Sequence, residues 1–317
     1  MAAWSCSAPL AIGRSFVEAF NQLFHLRQLI KEHTVLAQQL SVSDDGDVSD
    51  ISQELKSDVI DLVYRHSGIH LGDLTCQFVQ TRLRRRLRAV EISSADDYIA
   101  FVDRNADEAQ HLVNAFTTNE TCFFRTKPLW TFLEETFFPE LANRPAARMP
   151  SFWSAACSTG EEAYSLAMLS KHVFPVLPGN LRPRILATDI STEVLEKAAE
   201  GVYSGRNINR LKAVRPDVLD SCFEARDGAF EVAAEIRKPV QFARHNLMEK
   251  APQQDAHDLV MLRNVLIYFS QDDQMKIVRN IVASMRSGGV LAIGESESLS
   301  FFDSGLDYVQ PFVYRKP

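Results

Sequence analysis

A run of small and acidic residues, AACSTGEE at 155–162, stands between an apolar segment and a predicted helix. It contains one glycine, Gly160, so it lacks the GxGxxG spacing of a pyrophosphate site. Glu161 and Glu162 also disfavour phosphate, because carboxylates repel the anion that a free helix N-terminus attracts. A cationic ligand without phosphate fits better, and S-adenosylmethionine carries an amino group and a sulfonium. Alternatively, both carboxylates only complement the helix dipole.

Asp189 ends the second predicted strand of this region, about thirty residues after the first turn. A carboxylate at that place can accept both hydroxyls of an adenosine ribose, as the acidic residue of dinucleotide-binding folds does. The alternative is that Asp189 caps the following helix, although Ser191 or Thr192 can do so equally well. We therefore expect Asp189 to bind the ribose.

Two further polar pairs follow predicted strands, Asn246-Leu247 and Arg263-Asn264. Ligands of open α/β sheets bind beyond the carboxyl ends of the strands, where all these residues are expected to meet. An amide or backbone group there can bind the edge of an adenine, and strand-end backbone can border the methionine portion. Each pair is therefore a candidate for cofactor binding.

The elements that position these residues alternate between short apolar runs and helix-length segments after Pro150. This alternation predicts a parallel, doubly wound sheet. The pattern breaks between Gly201 and His245, where the runs CFEA, AFEVAAEI and VQFARHNL indicate a small antiparallel insertion at about 203–243. We place the catalytic domain at 127–317.

The chain before residue 127 is predicted to be helical. Apolar residues recur at helical spacing over 51–115, which indicates a small all-α domain, and 116–126 form a linker to the cofactor site. Residues 1–50 are predicted to form an amphipathic helix, from Phe16 to Ile30, and the acidic linker SVSDDGDVSD. That extension either packs on its own protein, docks on another or is disordered.

Net charge, cysteine spacing and the length of apolar segments exclude several classes of protein. The net charge is −7 over 317 residues, which argues against a general nucleic-acid binder. The five cysteines form no CxxC pair, so we predict no metal site and expect reduced thiols in a cytoplasmic protein. No signal peptide is evident, and no segment approaches the roughly 20 apolar residues of a membrane span.

Four motifs in a fixed order resemble the CheR family of chemotaxis receptor methyltransferases: NETCFFR (119–125), CSTGEE (157–162), ATDI (187–190) and RNVLIYF (263–269). The resemblance covers about 51–317. It implies an α/β fold, with a Rossmann-like S-adenosylmethionine-dependent methyltransferase domain that carries a small antiparallel β-subdomain and follows a small all-α domain. It also implies methyl transfer to glutamate side chains of methyl-accepting chemotaxis-type receptors. Residues 1–50 have no place in the family pattern.

The resemblance assigns roles to residues of these motifs. The cofactor would be bound by Asn119, Thr121, Arg125, Glu161, Asp189, Asn246, Leu247, Arg263 and Asn264. A glutamate carboxylate is already ionised at neutral pH, so its methylation needs no general base. Arg125 is expected to hold the substrate carboxylate, and Tyr268 to orient the carboxylate or the methyl donor. Phe123, Phe124, Tyr268 and Phe269 are expected to form dry walls.

The basic run TRLRRRLR at 81–88 is helical by spacing, with Arg82, Arg85 and Arg86 on one face. Such runs are usually solvated surface. Since the implied partner is the acidic helical bundle of a receptor's cytoplasmic part, we expect this face to dock on it. Nucleic acid is the third alternative for this run. The enzyme is expected to be a monomer.

Two other functions compatible with the same motifs are a catalytically silent S-adenosylmethionine-binding regulator of a chemosensory pathway and a methyltransferase for an unrelated substrate. A silent regulator is expected to lack Arg125 or Tyr268, and both are present. A small-molecule enzyme has little use for a basic docking helix.

Overall fold

A computed structural model describes residues 52–72, 75–143, 149–173 and 183–317. The extension predicted for residues 1–50 lies outside the described residues. Within those ranges, no helix combines the length and the apolar character needed to cross a membrane.

The first described domain is helical, as predicted. Four of its helices begin at a Ser, Thr or Asn whose side chain accepts a hydrogen bond from a backbone N–H of the first turn, which stabilises a helix start. They are α1 (Gln53–Ser67), α2 (Cys76–Ala89), α3 (Ala95–Val102) and α4 (Ala106–Phe116). Leu62, Leu83 and Leu112 are almost fully buried between them.

A linker leads from α4 to a helical segment that covers one face of the main sheet. The segment contains α5 (Lys127–Phe132), a π-helical turn (Leu133–Phe137) and α6 (Phe138–Ala142). Phe138 stacks on Phe152 of the first strand, with the two ring centroids 5.4 Å apart. This contact holds α6 against the sheet.

The main sheet has seven strands in the order β6-β2-β1-β7-β8-β10-β9. They are β1 (Ser151–Ala155), β2 (Arg184–Asp189), β6 (Val240–Arg244), β7 (His257–Leu262), β8 (Met285–Ile293), β9 (Asp307–Gln310) and β10 (Val313–Arg315). The first five in spatial order are parallel, and β10 and β9 close the sheet in antiparallel fashion.

Helices cover both faces of the sheet, which confirms the predicted α/β fold class. They include α7 (Glu161–Val173), α8 (Thr192–Glu200) and α12 (Gln271–Ser284). Successive residues of a strand point to opposite faces, so Phe152 lies in one buried cluster and Trp153 in the other. Strands buried on both faces explain the continuous apolar runs in the sequence.

The insertion forms a separate three-stranded antiparallel sheet in the order β3-β5-β4. Its elements are β3 (Val202–Tyr203), α9 (Gly205–Val214), α10 (Pro216–Cys222), β4 (Phe223–Arg226) and β5 (Ala229–Val232), and α11 (Ala234–Arg237) follows. The prediction that the run VQFARHNL belongs to this insertion is wrong. Residues Val240–Arg244 pair in parallel with β2 as the edge of the main sheet. Strand partners are set by long-range pairing, which a short apolar run does not specify.

Candidate functional site

The parallel strands end at one edge of the sheet, and the candidate residues follow those ends. Ala155 at the end of β1 pairs with Thr188 of β2 and with Leu262 of β7, and Asp189 pairs with Arg244 of β6. The turns after these strands therefore meet. The structure brings together the four loops that the sequence singled out.

The turn after β1 has a strained backbone. Ala156, Ser158 and Gly160 have φ values of 69°, 50° and 91°, in the left-handed region. Position 160 requires glycine for two reasons. Its φ lies in the left-handed region, and a Cβ there would lie 2.9 Å from the Cβ of Ala198 on α8. Gly160 therefore allows close packing of two elements. Strained backbone held in this way is typical of functional sites.

Asp189 joins the turns after β1 and β2. Its Oδ2 accepts a hydrogen bond from the backbone N–H of Ser158 at 2.8 Å, and its Oδ1 accepts from Ser191 at 2.9 Å. Only 6% of Asp189 is exposed, and burial raises the pKa of its carboxyl, against the effect of these hydrogen bonds. A carboxylate has about four acceptor sites, so it can still accept a ligand hydroxyl. The carboxylate is thus held rigidly, and ribose binding stays a prediction.

The N-terminus of α8 is capped from the helical domain. The side chain of Ser191 makes no capping hydrogen bond, and the N–H of Thr192 donates to Oδ1 of Asn114 at 3.1 Å. Asn114 also donates through Nδ2 to the hydroxyl of Thr192 at 2.9 Å. Asn114 therefore caps this helix, and the helix does not need Asp189 as its cap.

Glu161 is one of two adjacent carboxylates and is fully buried at the start of α7. It accepts hydrogen bonds from the hydroxyl of Thr159 at 2.6 Å and from Nδ2 of Asn207. Burial raises the pKa of its carboxyl. Asn207 comes from α9 of the insertion and was missed, because no local motif marks it.

Glu162 has a different partner. Its Oε2 lies 2.9 Å from Nη1 of Arg263, and its Oε1 accepts from the hydroxyl of Ser154 at 2.8 Å. Because Arg263 balances its charge in a buried ion pair, Glu162 belongs to the scaffold of the site.

Arg263 follows β7 and is only 6% exposed. Besides Glu162, its Nη2 donates to the carbonyl of Arg125 at 2.9 Å and to the hydroxyl of Thr126 at 2.6 Å. Its guanidinium therefore ties the linker to the end of the sheet. Its side chain thus holds the backbone of Arg125 in place, and cofactor binding by Arg263 stays a prediction.

The linker lies directly against the turn after β1. The carbonyl of Asn119 accepts a hydrogen bond from the hydroxyl of Ser158 at 2.9 Å, and Nδ2 of Asn119 donates to Thr117. Nη1 of Arg125 donates to the carbonyl of Glu120 at 3.2 Å. Asn119 and Arg125 are half-buried, and so is Thr121. The side chains of Asn119 and Arg125 are thus held by neighbouring groups of the linker, a hydroxyl and a backbone carbonyl respectively.

Phe123 and Phe124, which we expect to form dry walls of the site, are buried aromatic side chains of the linker. They are 3% and 5% exposed. Phe123 packs edge-on against Tyr203 and Phe223 of the insertion, with ring centroids 4.9 and 5.5 Å apart, and Phe124 packs against Trp130. These rings anchor the linker in the core. The Arg125 that follows them is therefore fixed in place.

The remaining candidates border the same edge. Asn246 is 8% exposed, and its Oδ1 accepts from the N–H of Met248 at 3.0 Å. Leu247 packs into the second core cluster. Asn264 is half-buried with a φ of 56°. Tyr268 ends a 3-10 turn (Leu266–Tyr268) and packs partly buried against that cluster.

The predicted docking arginines divide into two groups. Arg86 pairs with the carboxylate of Glu108 on α4 through Nε at 2.9 Å and Nη2 at 2.7 Å. Arg82 donates to the carbonyl of Ala115, and its guanidinium lies 4.3 Å from the ring centroid of Phe78. Arg85 is exposed. Arg82 and Arg86 thus hold the helical domain together, and Arg85 remains available for docking.

Comparisons with known proteins cover nearly the whole described chain. Residues 57–117 match a family model described as CheR methyltransferase, all-alpha domain, and residues 119–310 match CheR methyltransferase, SAM binding domain. The second match confirms S-adenosylmethionine as the predicted cofactor.

Curated relatives agree with these matches. The chain is 32% identical over 273 residues to a chemotaxis protein methyltransferase of Borreliella burgdorferi, covering 84% of this chain and 95% of that protein. It is 37% identical over 251 residues to chemotaxis protein methyltransferases of Salmonella typhimurium and Escherichia coli, covering 76% of this chain and 83% of each. The predicted resemblance is confirmed.

Proposed function

The chain belongs to the CheR methyltransferase family, and from this membership we propose that it methylates glutamate side chains of chemotaxis-type receptors. The product would be a glutamate methyl ester on the receptor's cytoplasmic helical bundle. The observation that carries the proposal is the fixed position of Arg125, whose backbone Arg263 ties to the edge of the sheet beside Glu161 and Asp189. A guanidinium there can bind an incoming carboxylate through two hydrogen bonds.

The side chains at this edge fit S-adenosylmethionine. Glu161 and Asp189 are buried carboxylates, which suit the cationic methionine end and the ribose hydroxyls respectively. The hydroxyl of Ser191 is buried and has no hydrogen-bond partner among the described residues. It is therefore available to a ligand. A glycine-rich pyrophosphate site is not needed, because this cofactor has no phosphate.

For this reaction the protein mainly has to align the substrate carboxylate with the methyl group of the cofactor. When bound, the cofactor supplies an electrophilic methyl group on a sulfonium. The substrate glutamate is ionised at neutral pH, so no side chain has to remove a proton. Arg125 would orient the carboxylate, and Tyr268 would fix its approach. A guanidinium that binds too tightly would stabilise the ground state as well, so the half-exposed position of Arg125 suits turnover.

Docking of the receptor is proposed on the exposed side of α2, centred on Arg85. The substrate bundle carries glutamates, so a cation on an exposed helix can attract and align it. Arg82 and Arg86 support this surface from below through their contacts with α4. The enzyme is proposed to act as a cytoplasmic monomer.

The deciding experiment incubates the protein with radiolabelled S-adenosylmethionine and cytoplasmic domains of candidate receptors. We expect label on the receptor that is released by mild base, because methyl esters hydrolyse where N-methyl groups do not. Label that resists base would point to a methyltransferase for another substrate. Cofactor binding without any transfer, across all receptors of the host, would point to the silent regulator.

A further inference from the structure

The turn at 264–269, which carries Asn264 and Tyr268, is held by a carboxylate from a different loop. Glu297 follows β8 and accepts four backbone N–H groups. Its Oε2 accepts from Asn264 at 3.0 Å and from Gly294 at 2.6 Å, and its Oε1 accepts from Val265 and Leu266, both at 2.8 Å. Three successive N–H groups of the turn therefore point at one side chain.

The carbonyls of the same turn are held from the opposite side. Nε2 of Gln274 donates to the carbonyls of Leu266 and Phe269, both at 3.0 Å. The backbone N–H of His70, just after α1, donates to the carbonyl of Tyr268 at 2.7 Å. The backbone of the turn is thus held by both its N–H groups and its carbonyls, and Glu297 supplies three of these six bonds.

Only an ionised carboxylate matches this arrangement. Each of its oxygens accepts two N–H donors, and a neutral amide offers one oxygen and would direct its own N–H groups at the remaining donors. Burial raises the pKa of Glu297, and the four N–H donors oppose that rise. Gly294 makes room for the carboxylate, because a Cβ there would lie 2.7 Å from Oε2 of Glu297.

We infer that Glu297 is a positioning residue for methyl transfer: its carboxylate sets the turn that presents Asn264 to the cofactor and Tyr268 to the substrate. The inference rests on the proposed function for the role of Tyr268. It assigns Glu297 no contact with the cofactor or with the reacting atoms. A shift of the turn would move Asn264 and Tyr268 together, and a displacement of about 1 Å in a reacting site can cost on the order of 100-fold in rate.

The test replaces Glu297 by Gln, which keeps the size and removes the second acceptor oxygen. We expect the Glu297→Gln protein to fold. Because Glu297 supports the turn without touching the ligand, its affinity for S-adenosylmethionine should fall about 10-fold. Its kcat should fall about 100-fold, through misplacement of Tyr268. The KM for receptor should stay unchanged, since α2 is untouched. Glu295→Gln is the matched control, because Glu295 lies exposed in the same loop, and it should match the parent protein.

Calorimetry of cofactor binding separates this inference from the proposed function, because it needs no methyl acceptor. Unchanged cofactor affinity and unchanged kcat in a folded Glu297→Gln protein would overturn the inference, as would a fall in thermal stability alone. If Glu297→Gln fails to fold, Glu297→Asp decides. Its carboxylate is one methylene shorter and cannot reach all four N–H donors. A folded Asp variant with parent affinity and kcat would therefore also overturn the inference.

Discussion

Glu161 and Glu162 show how far adjacent residues of one type can differ in role. They start the same helix, and successive helical residues point about 100° apart. Glu161 therefore lies against Asn207 of the insertion, and Glu162 pairs with Arg263. A pair of acidic residues in the sequence is thus one ligand candidate and one scaffold residue.

Substitutions of Arg125 and Asp189 by alanine are expected to affect different steps, methyl transfer and cofactor binding respectively. Arg125→Ala should lower the transfer rate by at least about 100-fold, through lost alignment of the carboxylate, and keep much of the cofactor affinity. Asp189→Ala should weaken cofactor binding itself. Calorimetry with S-adenosylmethionine and initial rates on receptor domains measure the two effects. Lys127→Ala, at an exposed cation near the linker, is the control for Arg125.

The site assignment would be abandoned if both truncated proteins methylated receptor at the parent rate. A loss of cofactor affinity in Arg125→Ala as large as in Asp189→Ala would instead assign Arg125 to the cofactor alone. Circular dichroism should accompany the measurements on Asp189→Ala, because Asp189 also holds the backbone of Ser158 and Ser191.

At the scale of elements, α4 of the helical domain completes the N-terminal end of α8. Asn114 caps α8, and Gln110 donates to the carbonyl of Ile190 at 2.8 Å and accepts from Arg244 at the end of β6. The loop after Asp189 is thus held by side chains from another domain. The helical domain therefore contributes to the geometry of the cofactor site as well as to the proposed docking surface.

Asn114→Ala should destabilise the protein by about 1 kcal/mol, the usual cost of a lost helix cap. Ser191→Ala is the matched comparison, because Ser191 occupies the N-cap position without capping and its hydroxyl has no partner among the described residues. We expect it to be neutral or slightly stabilising without cofactor. Urea unfolding measures both. Equal destabilisation by the two substitutions would contradict the cap assignment.

Charge reversal at two neighbouring arginines of α2 should have different effects, one on receptor binding and the other on protein stability. Arg85→Glu should raise the apparent KM for receptor by about 10-fold at low salt, and the effect should shrink as salt screens the charge. Arg86→Glu should instead destabilise the protein by about 3 kcal/mol, because it leaves Glu108 beside a like charge. Receptor kinetics across a salt series and thermal melting distinguish the two. An unchanged KM in Arg85→Glu would reduce Arg85 to solvated surface.

At the scale of the whole molecule, the helical and sheet domains are joined by specific contacts near the proposed catalytic turn. The hydroxyl of Tyr64 on α1 donates to Asp273 of α12 at 3.0 Å. Gly68 at the end of α1 packs so closely that a Cβ would lie 2.4 Å from Cγ of Met248. The N–H of His70 holds the carbonyl of Tyr268. These contacts fix the helical domain to the sheet domain at the turn.

Acid stability should depend on His257 at the start of β7. Burial and the nearby Arg286 lower its pKa to about 4, whereas the unfolded chain protonates it near 6.5. The unfolded state therefore binds the extra proton between these values, and stability falls by about 3 kcal/mol as the pH drops from 6.5 to 4. In the His257→Gln protein, this loss of stability between pH 6.5 and 4 should disappear. The exposed His172→Gln should retain it.

Urea unfolding at several pH values measures the difference between parent and variant. The buried carboxylates act in the opposite direction, because their raised pKa values favour the folded state at low pH, and their effect cancels in this difference. Parallel pH profiles for His257→Gln and the parent would contradict the prediction.

The amino-acid sequence by itself determined the features that depend on local pattern. Strand and helix alternation predicted the doubly wound sheet, and the turns after β1, β2 and β7 marked its functional edge. Glu161 and Asp189 could be found because each follows a strand in a motif of fixed spacing. The same motifs identified the family and the cofactor.

Only the tertiary structure decided which charged and polar groups serve the site and which hold it together. Arg263 is bound to the linker, Arg86 to Glu108, and Glu297 to a turn about thirty residues away, and β6 lies in the main sheet. Each of these outcomes depends on a partner distant in sequence. Residue type and spacing describe only near neighbours, so the partner, and with it the role of the side chain, is fixed when the chain folds.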